Sequence, residues 1–291
     1  MPRYSLPSAA FLLIALLSGP VLSGLVLAGP AWGDTTATPE SCHAAQTGDN
    51  AMAVACSELG QALFARGDDR GAEAVLADAW RLRPGSRQVY GQLNALYLKQ
   101  RRLDDAIKLT REAIQAHPDD AKLQSFLGSM LMMTGDNIGA EAALRRAQLG
   151  LPDDPDVLSN LGFVLSAQKR SAEAVPLFRR ALALQPTDFA ANRGLGDALL
   201  ILGDDAGSAA AYEIAYQQDP TSRPVVQGFC VALLHLGKDD AAIDLLKHHL
   251  RADPQDGEGY YYLGKLYLMQ DRRAEGEAAL NKAKALGFQV P

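Results

Sequence analysis

Cysteine is scarce, with Cys42, Cys56 and Cys230 the only three in 291 residues, and no C-x-x-C pair or Cys/His cluster gives zinc or thiol redox chemistry a ligand set. Aromatic residues are also few (8 Phe, 9 Tyr, 2 Trp), while Ala and Leu abound, which favours helix over sheet. No basic stripe is present: 28 Lys+Arg face 34 Asp+Glu, the net charge is −6 and the acids are dispersed, which disfavours a nucleic-acid partner. The five histidines (His43, His117, His235, His248, His249) form no HExxH, and the G-x-S-x-G elbow, the P-loop and the dinucleotide fingerprint are all missing. What is abundant is hydrophobic residues, at 48% of the chain, enough to exclude disorder.

One apolar run stands apart from the rest. Ala9 to Ala28 carries no charge, is broken by Gly19-Pro20, comes after Arg3 and precedes Ala31-Trp32-Gly33. Small residues before Asp34 suit a signal peptidase, so residues 1–33 read as a secretory signal peptide, with a cut after Ala28 as a second option. About 20 apolar residues also suffice to span a bilayer, so an uncleaved inner-membrane anchor is the alternative. Either reading exports the chain beyond residue 33, because Arg3 stays inside. An oxidising compartment permits one disulfide: Cys42 and Cys56, 14 residues apart, are the natural pair, unpaired buried thiols the alternative, and Cys230 reads as core.

A repeat dominates the remainder. Pro84, Pro118, Pro152, Pro186, Pro220 and Pro254 succeed one another at intervals of 34 residues. At ordinary proline frequency, that register arises by accident with a probability on the order of 10⁻⁷. With proline at place 32, seven units run 53–86, 87–120, 121–154, 155–188, 189–222, 223–256 and 257–290, preceded by a polar linker or N-terminal cap over 34–52. Place 7 is large and apolar (Leu59, Leu93, Leu127, Leu161, Leu195, Phe229, Leu263), whereas places 8, 20 and 27 are mostly Gly or Ala. Two antiparallel helices packed closely need that alternation of knobs and gaps. A break near place 15, as in Gly67-Asp68, Gly135-Asp136, Gly203-Asp204 and Gly237-Lys238, closes the first helix, and the proline ends the second. His249 replaces the small residue of place 27, and a local loosening of the sixth unit is expected there. Paired acids such as Asp153-Asp154 and Asp204-Asp205 recur at the turns, where they serve as helix caps rather than as catalytic pairs.

This pattern resembles the tetratricopeptide repeat family, whose 34-residue unit carries W-x₂-L-G-x₂-Y, A-x₃-F, A and P in that order. The resemblance covers residues 53–290 and implies an all-α fold, a right-handed α-solenoid of seven helix pairs. It also implies that the first helix of each unit lines a concave groove through places 2, 5, 6, 9, 12 and 13. On this chain those places hold Phe64, Leu98, Phe126, Met132, Met133, Ser159, Asn160, Phe163, Arg193, Asp197, Leu200, Gln227, His235, Tyr261 and Lys265. An apolar floor with scattered polar groups suits an extended or helical peptide. His235, Arg193 and Asp197 form the best polar cluster. The Lys/Asn/Arg clamp with which some co-chaperone members hold a C-terminal carboxylate is absent, since Ser57, Gln61, Ala95, Ser125 and Ser129 occupy its places. Of the asparagine ladder of long members only Asn160 is present.

The sequence therefore points to an exported, non-catalytic scaffold in the periplasm that binds a protein segment and assists assembly of an envelope or secretion complex. No cofactor, metal or nucleic acid is expected. Val157 to Phe163 resembles a stretch in the repeat proteins of tight-adherence (Flp) pilus systems, which makes pilus assembly a narrower alternative. An accessory subunit of an envelope enzyme, in polysaccharide export or cytochrome c maturation, is the other.

Overall fold

The computed structural model describes residues 37–289, and the expected signal segment lies outside them. Fifteen helices and no strand occur among the described residues. Internal packing divides the chain into two compact units, with the boundary after Gly150. None of these helices is long and apolar enough to cross a membrane.

The first unit contains α1 (Pro39–Ala44) and three helix pairs: α2 (Asn50–Ala65) with α3 (Asp69–Leu82), α4 (Arg87–Lys99) with α5 (Leu103–Ala116), and α6 (Ala121–Thr134) with α7 (Asn137–Gly150). The second contains four: α8 (Pro155–Ala167) with α9 (Ser171–Leu184), α10 (Phe189–Leu202) with α11 (Asp205–Gln218), α12 (Arg223–His235) with α13 (Asp239–Ala252), and α14 (Gly257–Met269) with α15 (Arg273–Ala285). Within each unit every helix packs on the next, and α2 on α4, α8 on α10 and α10 on α12 pack as neighbouring first helices. One helix pair thus corresponds to each 34-residue repeat, the all-α architecture of stacked hairpins that the sequence implies.

Small residues set the spacing inside each pair. A Cβ on Gly128 would meet the Leu144 side chain at 2.5 Å, and one on Gly162 would meet the Phe178 ring at 2.8 Å. Those glycines are the slots into which the place-24 side chains insert, and Ala79, Ala147, Ala181 and Ala215 at place 27 are almost completely buried. The segment expected to be a polar linker carries α1, held by a Thr38–Ser41 capping box. Cys42 and Cys56 are disulfide-bonded, and Arg81 donates to the carbonyls of Cys42, His43 and Ala45, closing the C-terminal end of α1. Closing a loop of that length is worth about 3 kcal/mol. Changing both cysteines to serine is expected to lower the urea midpoint of the first helix pair; an unchanged midpoint would deny the bridge any part in stability.

The turn between the two helices of a pair requires a left-handed residue in every repeat. Gly67, Gly135, Gly203 and Gly237 supply it with φ between 67° and 82°, and Asp68, Asp136 and Asp204 then cap the next helix. In the other three repeats Arg101, Lys169 and Asp271 adopt φ of 59–64° without being glycine. There Arg102, Arg170 and Arg272 come next, each paired with an acid three residues on (Asp105, Glu173, Glu275), so an ion pair replaces the Asp cap. A left-handed non-glycine residue costs roughly 1–2 kcal/mol. Lys169→Gly is accordingly expected to raise stability by about 1 kcal/mol in chemical denaturation, and a fall would contradict the assignment.

His249 corrects an expectation. The sixth repeat is not loosened by it: the imidazole is fully buried, with Nδ1 2.9 Å from the Pro220 carbonyl oxygen and Nε2 2.9 Å from Asp256 Oδ2. The space that alanine leaves elsewhere is filled here by a ring with an oxygen atom 2.9 Å from each of its nitrogens.

Candidate functional site

In the first unit the expected groove residues are half-buried and largely engaged with one another. Phe64 on α2 lies beneath the Lys99 ammonium at 4.7 Å, and Lys99 is itself held by Asp69 at 2.8 Å. Leu98 on α4 and Phe126, Met132 and Met133 on α6 are half-buried apolar surface. The polar groups between them satisfy each other, as Ser57 donates to Gln92 (2.7 Å) and Gln92 to Gln61 (3.4 Å).

The second unit differs. Ser159 is only 8% exposed and packs rather than presents its hydroxyl, and Asn160 beside it is half-buried. Phe163 on α8 is half-buried and meets Phe178 edge-on, with ring centroids 5.0 Å apart. The Arg193 guanidinium, from α10, stands over Phe163 at 5.8 Å. Arg193 makes no ion pair among the described residues, and its buried Nε–H has no acceptor there. Leaving such a group unsatisfied costs about 1–3 kcal/mol.

Asp197 lies one helical turn beyond Arg193 on α10 and keeps open surface. The Tyr212 hydroxyl donates to it at 2.5 Å. Surrounding protein raises its carboxyl above the ordinary value, with the Tyr212 hydrogen bond and the Arg193 charge pulling the other way. Tyr212 belongs to α11, the second helix of its pair, and was not among the sequence-derived candidates. Its ring reaches the first-helix face because Gly196 and Gly228 flank it: a Cβ on Gly196 would come within 2.9 Å, and one on Gly228 would collide with the ring. A tyrosine at place 24 opposite glycines at places 6 and 8 was the signal in the sequence that could have revealed it.

The other candidates lie apart from this cluster. Leu200 is half-buried and Gln227 exposed. His235 is engaged across the seam between repeats, its Nδ1 2.9 Å from Asp205, in the same way that Lys99 meets Asp69 in the first unit. It is therefore a seam residue, not a third member of the Arg193–Asp197 pair. On α14, Tyr261 stacks on Phe288 at 5.1 Å with the Lys265 ammonium 5.6 Å from its ring. Cys230 is a buried thiol that desolvation pushes up to about 11, which leaves it unreactive.

Stacked two-helix repeats with a side-chain cluster exposed on their first helices define a helical-repeat scaffold. Two family models described as tetratricopeptide repeat match residues 97–161 and 160–223. Tetratricopeptide repeats therefore occupy residues 97–223 of the chain. Among solved structures it is similar to a tetratricopeptide repeat protein from Parabacteroides merdae, at 18% identity over 81% of this chain and 94% of that one, with a TM-score of 0.58. PilF from Pseudomonas aeruginosa shares 20% identity over 69% and 92% of the two chains (TM-score 0.57), and MamA from Desulfovibrio magneticus 20% over 57% and 94% (TM-score 0.53). The likeness is one of fold. No curated protein sequence matches the chain.

Proposed function

We propose that this protein is an exported, non-catalytic scaffold that seats a segment of a partner protein on the first helices of its second unit and so assists assembly of an envelope or secretion complex. The observation that carries the reading is the Arg193 guanidinium, a half-buried cation held over Phe163 and without an ion pair among the described residues. A guanidinium held over a ring offers a fork of donors that matches a carboxylate. Asp197, backed by Tyr212, offers an acceptor one turn away, so cation, anion and apolar surface meet on one face. The Cys42–Cys56 bridge supports the export reading, because such bonds persist in oxidising compartments.

The narrower reading, a part in pilus assembly, rests on the stretch from Val157 to Phe163, which forms the heart of α8. In-cell crosslinking of the full chain, with captured proteins identified by mass spectrometry, tests both. Pilus or secretion subunits crosslinked through residues adjoining Arg193 are the expected result. Polysaccharide-export or cytochrome-maturation subunits would replace the pilus reading with an accessory role. Partners crosslinked only to second helices would refute the proposed face.

A further inference from the structure

At place 27 six of the seven repeats have alanine (Ala79, Ala113, Ala147, Ala181, Ala215, Ala283), and the sixth has His249. At place 34 Asp120, Asp154 and Asp188 turn their carboxylates onto the next helix as N-caps, whereas Asp256 makes no such bond to α14. These two departures meet: Asp256 turns inward and its Oδ2 lies 2.9 Å from His249 Nε2. The carbonyl oxygen of Pro220 can only accept, so the 2.9 Å contact places a proton on Nδ1, and Nε2 is the nitrogen that faces the carboxylate. A bare lone pair on Nε2 would face a carboxylate where His249 is fully buried and the Asp256 side chain only 6% exposed. Positive charge is required between them.

A second anomaly lies on the other oxygen. Asp256 Oδ1 is buried without a hydrogen-bond partner, and its nearest cation, Arg223 Nε, is 3.7 Å away. A proton on Nε2 would satisfy Oδ2 and leave Oδ1 as it is. Asp253 completes the group, since one donor atom from each of His249, Asp253 and Asp256 lies within 4.8 Å of the others. Arg223 bridges the two aspartates, 2.8 Å from Asp253 Oδ2, but its side chain is 48% exposed and can swing into water.

We propose that His249, Asp253 and Asp256 form a divalent metal site, suited by its one imidazole and two carboxylates to zinc, that ties the end of α13 to the start of α14. Imidazole and carboxylate are ordinary zinc ligands, and a ligating histidine characteristically donates its other N–H to a backbone carbonyl, the part Pro220 plays here. The ion takes the place that Arg223 holds between the carboxylates, satisfies Oδ1 and meets the lone pair of Nε2. No motif announces it, because the spacing H-x₃-D-x₂-D matches no common zinc pattern and the site exists only where two repeat-breaking residues converge.

The test is calorimetric titration of the chelator-stripped full chain with zinc ion alone, beside His249→Ala and Asp256→Ser. Both variants restore residues found at the same places in other repeats, so both are expected to stay helical by circular dichroism. One ion per chain for the wild type, a higher melting temperature on binding, and a loss of affinity of about tenfold or more in each variant are expected. No saturable uptake, or uptake unchanged in the variants, would overturn the site. So would a wild type indifferent to zinc whose stability falls with rising pH while that of His249→Ala does not, because the position would then hold a proton.

Discussion

Phe178→Ala is expected to cost about 3–5 kcal/mol, the largest effect of any single truncation in the second unit. The ring is fully buried on α9, fills the slots left by Gly162 and Gly194, and supports Phe163 edge-on. Removing it opens a cavity at a place where two first helices and one second helix converge, and glycine neighbours have no side chains with which to collapse into it. Repeat arrays are stabilised by nearest-neighbour interfaces, so the loss should appear as early unfolding of α8 to α11 in hydrogen exchange before the remaining pairs open. A loss under about 1 kcal/mol by urea denaturation, or exchange spread evenly over the second unit, would contradict this account. Partner capture at the proposed face is expected to fall through the same contact, because Phe163 without its backing no longer holds Arg193.

Arg193→Glu is expected to weaken partner capture about thirtyfold or more, the size of an arginine hot spot worth about 2 kcal/mol. Charge reversal removes the donor fork and places two carboxylates, the new one and Asp197, one turn apart on a face whose carboxyl is already raised by its surroundings. The native fold should survive, since Arg193 makes no ion pair among the described residues that its loss would break. Quantitative crosslinking against the wild type, with circular dichroism as control, is the measurement. Capture retained within about threefold would show that the partner does not use this face. Asp197→Asn offers a discriminating companion: it keeps the contact with Tyr212 and removes only the negative charge, so it should weaken a partner bearing a lysine or arginine and spare one that presents only a carboxylate.

Much of the fold was legible in the sequence because it repeats. The prolines at 34-residue intervals mark the second-helix ends that the structure shows at Leu82, Ala116, Gly150, Leu184, Gln218 and Ala252. The Gly-Asp turns form the expected left-handed caps, but Arg101, Lys169 and Asp271 hold the same conformation without a glycine to announce it. The candidate face was legible in part. Phe163, Arg193 and Asp197 do come together, whereas Ser159 is buried, His235 belongs to the seam with Asp205, and Tyr212 was missed because it sits on the wrong helix by family pattern.

By itself the sequence determined the helix pair as the unit, its length, its apolar seam and the family, because each depends on residues that recur at one fixed interval and pack against near neighbours. Tertiary structure alone decided which polar groups are spent and which remain available. Gln92 with Ser57, Lys99 with Asp69, Tyr212 with Asp197 and His249 with Asp256 are pairings across helix interfaces. Each depends on whether a glycine or an alanine opens a passage for a particular side chain, and that is a property of two surfaces in contact rather than of either stretch of chain.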